Sequence, residues 1–281
     1  MRPSSLAVVG LGAIGGSLAW QARLAGVTRV VGYSASRAEA VEALKASAIT
    51  EMADTPGRAV RGADLVVLAV PPRATIDLIG RLGPALEPGA VLTDVCSVKG
   101  PVMARAMEAG LTARFAGGHP LAGTHDSGFS AARPDRLRGC VVYVCELAGE
   151  GERPARAVMG FWREVIEAEA ILIDAAAHDR QLAWTSHLPQ AVASALAHAL
   201  AERRLGGVSF GPGARDTTRL AASSPEMWLD ILLMNRPALD EALEQTGVAL
   251  AELRALLASG DAAGLERYLA AARDFRRGLD R

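Results

Sequence analysis

The chain has 281 residues, 50% hydrophobic and 22% charged, with 30 basic against 31 acidic residues and a formal net charge of -1. That composition excludes a disordered or fibrous protein and leaves room for two domains with a sizeable core. The balanced charge, with no dense Lys/Arg block, argues against a nucleic-acid or membrane-surface partner and for a small-molecule one.

The first half alternates short β-branched runs with Ala-rich stretches, the pattern of a parallel sheet covered by helices. Strands are expected at Leu6 to Gly10, Arg29 to Tyr33, Asp64 to Val70, Ala90 to Val95, Arg114 to Ala116 and Cys140 to Glu146. Amphipathic helices are expected at Ala13 to Ala25, Ser36 to Ala46, Arg73 to Leu82 and Gly100 to Ala109. From Asp174 the strand signals stop. A long helix is predicted from Asp174 to Arg204, kinked at Pro189, with further helices at Pro225 to Met234, Pro237 to Ser259 and Ala262 to Arg276. The reading is therefore α/β: a Rossmann-like doubly wound parallel sheet over residues 1–173, then an all-helical substrate and dimerisation domain over 174–281. Apolar helix faces in so small a domain are best buried against a second copy, so a homodimer is expected. No apolar run of about 18 residues occurs. Leu6 to Val9 lead into glycines rather than a cleavage site, and a cytoplasmic location is expected. Cys96, Cys140 and Cys145 have neither disulfide nor zinc spacing, and no metal is expected.

Gly10, Gly12 and Gly15 form GxGxxG between the first strand and the first helix. The first glycine permits the turn, the second lets a pyrophosphate approach the backbone, and the third brings helix and strand together. With Ala13 and Ile14 inside the turn, and Val70 and Pro71 after a later strand, these positions are read as a dinucleotide site. Where an NAD enzyme places a carboxylate after the second strand, this chain has Ser34. Ser36 and Arg37 follow, and the first carboxylate in the sequence is Glu39. Hydroxyls and a guanidinium suit a 2′-phosphate, so NADP is favoured, with NAD possible.

Three later segments are rich in residues that apolar packing would not select. TDVCSVKG carries Asp94, Ser97 and Lys99. GGHPLAGTHDSG carries His119 and His125. SHLPQ, with Ser186, His187 and Gln190, is joined by GARDTTR, with Arg215 and Arg219. In this order and spacing, GLGAIGGSLA, DVCSVKG, GGHPLAGT, HDxxxAxTSHLPQ and GARDTTRLAASSPEMWLDI resemble the prephenate and arogenate dehydrogenases of tyrosine biosynthesis, from residue 6 to about residue 236.

The resemblance implies oxidative decarboxylation of a cyclohexadienol, prephenate or arogenate, to 4-hydroxyphenylpyruvate or tyrosine. His119 then matches the base, Ser97 a hydroxyl partner that orients it, and Arg219 the grip on the side-chain carboxylate. Ser186, His187, Gln190, Arg215 and His125 are carried as substrate-binding positions. Lys99 reads either as a ligand contact or as a surface lysine. His178 and His198 read as solvated or packing residues.

Two departures from the family pattern bear on the substrate. Gln190 stands where a second histidine is frequent, and His125, followed by Asp126, stands where an acidic residue is frequent, which leaves prephenate against arogenate open. Two alternatives remain. The β-hydroxyacid-type or imine-reducing dehydrogenases share the two-domain plan, but the long helix lacks the lysine that the hydroxyacid enzymes place there. A non-catalytic dinucleotide sensor would not need His119, Ser97 and Arg219 together. No separate regulatory domain is expected after the helices, so any tyrosine inhibition is expected to be competitive.

Overall fold

Along β1 (Ser5–Val9), Leu6 and Val8 enter one apolar cluster while Ala7 and Val9 enter another, and all four are fully buried. A strand covered on both faces has no polar side to show, and it therefore reads as a continuous apolar run. The structure is a computed structural model describing residues 2–123, 126–147, 149, 152–203 and 209–279.

After β1 come α1 (Ala13–Leu24), β2 (Arg29–Tyr33), α2 (Arg37–Lys45), β3 (Glu51–Met52), α3 (Pro56–Ala59) and β4 (Leu65–Leu68). Then follow α4 (Pro72–Leu82), β5 (Val91–Asp94) and α5 (Gly100–Glu108). The five strands form a parallel sheet in the order β3-β2-β1-β4-β5. The chain runs outward from β1 through β2 to β3 and then crosses back to β4 on the other side of β1, so the ends of β1 and β4 border the switch point where open α/β sheets bind ligands.

The sheet pattern continues through a parallel bridge from Leu92 to Phe115 into β6 (Ala116–Pro120), β7 (Val141–Glu146) and β8 (Glu169–Leu172). Here β6 and β7 are antiparallel and β7 and β8 parallel, so the doubly wound parallel sheet carries one antiparallel pair. The strand expected over Arg114 to Ala116 begins where that reading ends and runs on through Gly117, Gly118 and His119. Between β7 and β8 lies α6 (Glu152–Glu164), whose Phe161 and Trp162 are fully buried.

The helical region opens with α7 (Ala175–Leu182), capped by the Asp174 carboxylate accepting from the Ala177 amide at 2.9 Å. A π-helical turn (Ala183–His187) joins it to α8 (Leu188–Glu202), and the Leu188 amide donates to the Ala183 carbonyl. Pro189 has no N–H and its ring excludes the carbonyl one turn back, so the chain widens into a π turn just before it. After that come α9 (Pro212–Thr218), a 3-10 turn (Arg219–Ala222) and α10 (Pro225–Met234). Arg73 of α4 donates to Asp230 of α10 at 2.9 Å, tying α10 to the sheet region.

One compact unit extends to Asn235 and a second begins at Arg236. The second is an antiparallel pair, α11 (Arg236–Ser259) and α12 (Ala262–Gly278), in which the Tyr268 hydroxyl donates to the Ala249 carbonyl at 3.1 Å. Among the described residues no helix is long and apolar enough to cross a membrane.

Candidate active site

Gly10 leaves β1 at φ +101° and donates its N–H to the Tyr33 carbonyl at 2.7 Å. A Cβ there would strike the Ala69 carbonyl and lie 2.8 Å from Val70 Cγ1, so the turn packs against the end of β4. A Cβ on Gly15 would strike the Gly10 carbonyl, whereas one on Gly12 would meet nothing within 4 Å. Gly12 is the N-cap of α1 and no side chain caps that helix end. Free N–H groups behind an uncrowded glycine fit a pyrophosphate. Ala13, Ile14, Val70 and Pro71 border the same turn.

At the end of β2 the structure alters the expectation drawn from Ser34, Ser36 and Arg37. Ser34 donates its hydroxyl to Glu39 Oε2 at 2.6 Å, and Ser36 caps α2 by accepting from the Glu39 amide at 3.4 Å. Glu39, one turn into α2, therefore reaches back to the position that looked empty of carboxylate in sequence. Arg37 is exposed and faces Asp54 at 3.8 Å.

His119 is the fourth residue of β6, inside the strand rather than beyond it, and pairs with Tyr143 of β7. Its neighbour Gly118 is pinned from both sides: its amide donates to Asp94 Oδ1 at 3.1 Å and its carbonyl accepts from Lys99 Nζ at 2.7 Å. A Cβ at Gly118 would sit 2.6 Å from the Asp94 carbonyl, which is why glycine stands there. Lys99 is not a surface lysine. It is fully buried, bound to Asp94 Oδ2 at 2.5 Å, and locks β6 to the end of β5. Ser97 lies in the same β5–α5 connection and is partly exposed.

His178 is likewise corrected: it is fully buried, with Nε2 at 2.8 Å from His119 Nδ1 and Nδ1 at 2.8 Å from Asp179 Oδ1. Asp179 also accepts from the Lys99 amide at 2.8 Å and the Gly100 amide at 2.7 Å. Among the described residues His119 Nε2 has no hydrogen-bond partner. Burial first, then the charges of His178, Lys99 and His187, hold the His119 pKa well below the usual histidine range. A neutral imidazole ready to accept a proton is the result. The only sequence trace of the His178–Asp179 pair is an HD dipeptide, which taken alone gives no sign of burial. His198 is exposed, as read.

The π turn carries Ser186 and His187. Asn235 Nδ2 lies 2.9 Å from His187 Nδ1 and donates to the Asp179 carbonyl at 2.7 Å, a link the sequence reading missed. His187 Nε2 is buried without a partner among the described residues, and its ring lies edge-on to Trp228 of α10. Gln190 donates to the Leu220 carbonyl at 2.9 Å, holding the 3-10 turn whose first residue is Arg219. Arg219 and Arg215 are both exposed. His125 lies outside the described residues.

A glycine cradle at the switch point, with a buried, neutral histidine beyond it, fits a dinucleotide-dependent dehydrogenase. The comparisons specify it further. Residues 18–172 match the prephenate dehydrogenase nucleotide-binding domain and residues 174–271 the prephenate dehydrogenase dimerization domain. The chain is 32% identical to a prephenate dehydrogenase of Bacillus subtilis, over 98% of this chain and 76% of that protein. It is 34% identical to a cyclohexadienyl dehydrogenase of Zymomonas mobilis, over 91% and 89%. A solved prephenate dehydrogenase of A. aeolicus, in complex with hydroxyphenyl propionate and NAD+, superposes with TM-score 0.91 at 28% identity, covering 98% of each chain. A solved Synechocystis arogenate dehydrogenase superposes with TM-score 0.83 at 27% identity, covering 98% of this chain and 99% of that one. The chain belongs to the prephenate dehydrogenase family and is an oxidoreductase.

Proposed function

We propose that this chain oxidatively decarboxylates prephenate, arogenate or both, with His119 as the base. The single observation that carries the assignment is a buried neutral imidazole whose Nδ1 is engaged and whose Nε2 has no partner among the described residues. The nicotinamide dinucleotide, bound in the β1–α1 cradle, supplies the hydride acceptor. His119 Nε2 takes the proton from the ring hydroxyl as the carbon bearing it gives up hydride, and CO2 leaves the opposite ring carbon as the ring becomes aromatic. Ser97 hydrogen-bonds the same hydroxyl. Arg219 grips the side-chain carboxylate, with Arg215 beside it on the preceding helix and Ser186, His187 and Gln190 on the π turn and α8. His187 Nε2, which has no partner among the described residues, suits a substrate oxygen. The substrate contact assigned to His125 rests on the family resemblance.

For the cofactor we infer NAD rather than NADP, and the support is the place of Glu39. Glu39 beside Ser34 offers an acceptor for a ribose diol and would repel a 2′-phosphate. Arg37 is exposed and faces Asp54. The A. aeolicus enzyme, similar over 98% of this chain, holds NAD+.

We divide the chain by function at 173/174, where the two family matches also separate. A cytoplasmic homodimer built through the helices is part of the same proposal. Its support is the match to a dimerization domain and the exposed apolar side chains of the helices, such as Leu229 and Leu233 on α10 and Leu257 and Phe275 on α11 and α12. The test is to supply prephenate or arogenate with NAD or NADP and follow the absorbance of reduced nicotinamide. His119→Asn should lower kcat roughly 10²- to 10⁴-fold with little change in KM. A variant keeping half the wild-type kcat would remove His119 from the role.

A further inference from the structure

Resting on His119 as the base, the geometry points to His178 and Asp179 as a positioning pair that fixes which nitrogen of His119 carries its proton and receives the positive charge the reaction creates. The tautomers follow from donors that have no choice. Backbone amides only donate, and those of Lys99 and Gly100 point at Asp179 Oδ1 and Oδ2 at 2.8 and 2.7 Å. Burial works to raise the Asp179 pKa, but the hydrogen bonds from His178, Gly100 and Lys99 outweigh it and hold the carboxyl below its usual range. An ionised carboxylate only accepts, so His178 Nδ1 must be the donor across their 2.8 Å contact.

His178 is kept neutral by burial, against the opposing pull of Asp179, so its Nε2 is a bare lone pair. His119 Nδ1 must then donate into it at 2.8 Å, and the lone pair of His119 is left on Nε2. That is the nitrogen the hydroxyl proton needs. The Tyr143 ring, its centre 5.6 Å from that of His178 and its plane at 85° to it, packs against the imidazole. Reversing the chain would require a proton on Asp179.

During turnover the substrate O–H bond breaks and N–H forms at His119 Nε2. The Nδ1–H bond of His119 then breaks as N–H forms at His178 Nε2. His119 ends neutral, and the charge rests on His178 against the Asp179 carboxylate. Lys99 opposes a positive charge on both rings, and the Asp179 carboxylate 2.8 Å from His178 offsets it there. The tautomer of an active-site imidazole is set by the bond its other nitrogen makes, and disturbing such partners costs roughly 10- to 10⁴-fold in activity.

The chain has five histidines, so nitrogen NMR of 15N-histidine-labelled protein can read each tautomer. In wild type at neutral pH, His119 and His178 should both carry the proton on Nδ1. A proton on His119 Nε2 would overturn the proposal, and this measurement needs no variant to fold. Asp179→Asn keeps an acceptor toward His178 Nδ1 but removes the carboxylate charge, and Asp179→Asn and His178→Gln should each lower kcat roughly 10- to 10⁴-fold with KM held within about threefold. A kcat within about twofold of wild type in both variants would refute it. If those variants are active while His119→Asn is dead, the base stands and the pair falls; if His119→Asn is active, the base assignment itself fails.

Discussion

Replacing Lys99 by Met keeps much of its volume and removes its charge from a site with no solvent exposure. The ammonium contacts Asp94 Oδ2 at 2.5 Å and the Gly118 carbonyl at 2.7 Å. Without it Asp94 retains only the Cys96 amide at 2.9 Å and the Gly118 amide at 3.1 Å, too little to hold a buried charge. Removing one partner of a buried pair costs about 3 to 5 kcal/mol. For a chain of this size that corresponds to a fall in Tm of roughly 6 to 20 °C. Adding Asp94→Asn removes the stranded charge while keeping an acceptor for one amide. The double variant should therefore melt above Lys99→Met, although Asp94→Asn alone destabilises. Thermal unfolding at fixed protein and cofactor concentration measures the cycle. A Lys99→Met protein that melts within about 2 °C of wild type, a shift of no more than about 1 kcal/mol, and is damaged only in KM would refute the argument and return Lys99 to a ligand contact.

Glu39→Gln should move kcat/KM toward NADP by about 1 to 3 kcal/mol, the scale of one charged hydrogen bond; wild type preferring NADP tenfold would remove Glu39 from the ribose site. Arg219→Ala should raise KM strongly while kcat changes little, because a remote carboxylate is held throughout the reaction. A collapse of kcat at constant KM would pass the anchor to Arg215. Burial lowers the His187 pKa to about 4, so between pH 6.5 and about 4 the unfolded chain binds a proton that the folded one refuses. Its stabilising contribution is complete above about pH 6.5 and is lost as pH falls, by about 3 kcal/mol over the window. Burial lowers His119 and His178 too, adding to the slope in the same direction. Urea unfolding across that range should show a shallower pH slope for His187→Gln, and an equal slope would contradict the burial argument.

Local chemistry determined much of this protein from the sequence alone. The glycines of the first turn, the two-sided burial of β1 and the polar segments around His119 and His187 are recorded in short stretches of chain, because backbone turns and alternating burial depend on near neighbours. Tertiary structure decided the pairings. His119 and His178 are 59 residues apart in sequence and 2.8 Å apart in space, and Asn235 reaches His187 from 48 residues away. Lys99 reads equally well as a surface or a buried residue until Asp94 and Gly118 are brought around it. Glu39 looks too distant from the end of β2 until the first turn of α2 carries it back to Ser34. The proposed proton chain and the proposed cofactor preference both rest on such contacts, because tautomer and charge are set by what faces a side chain across folded space.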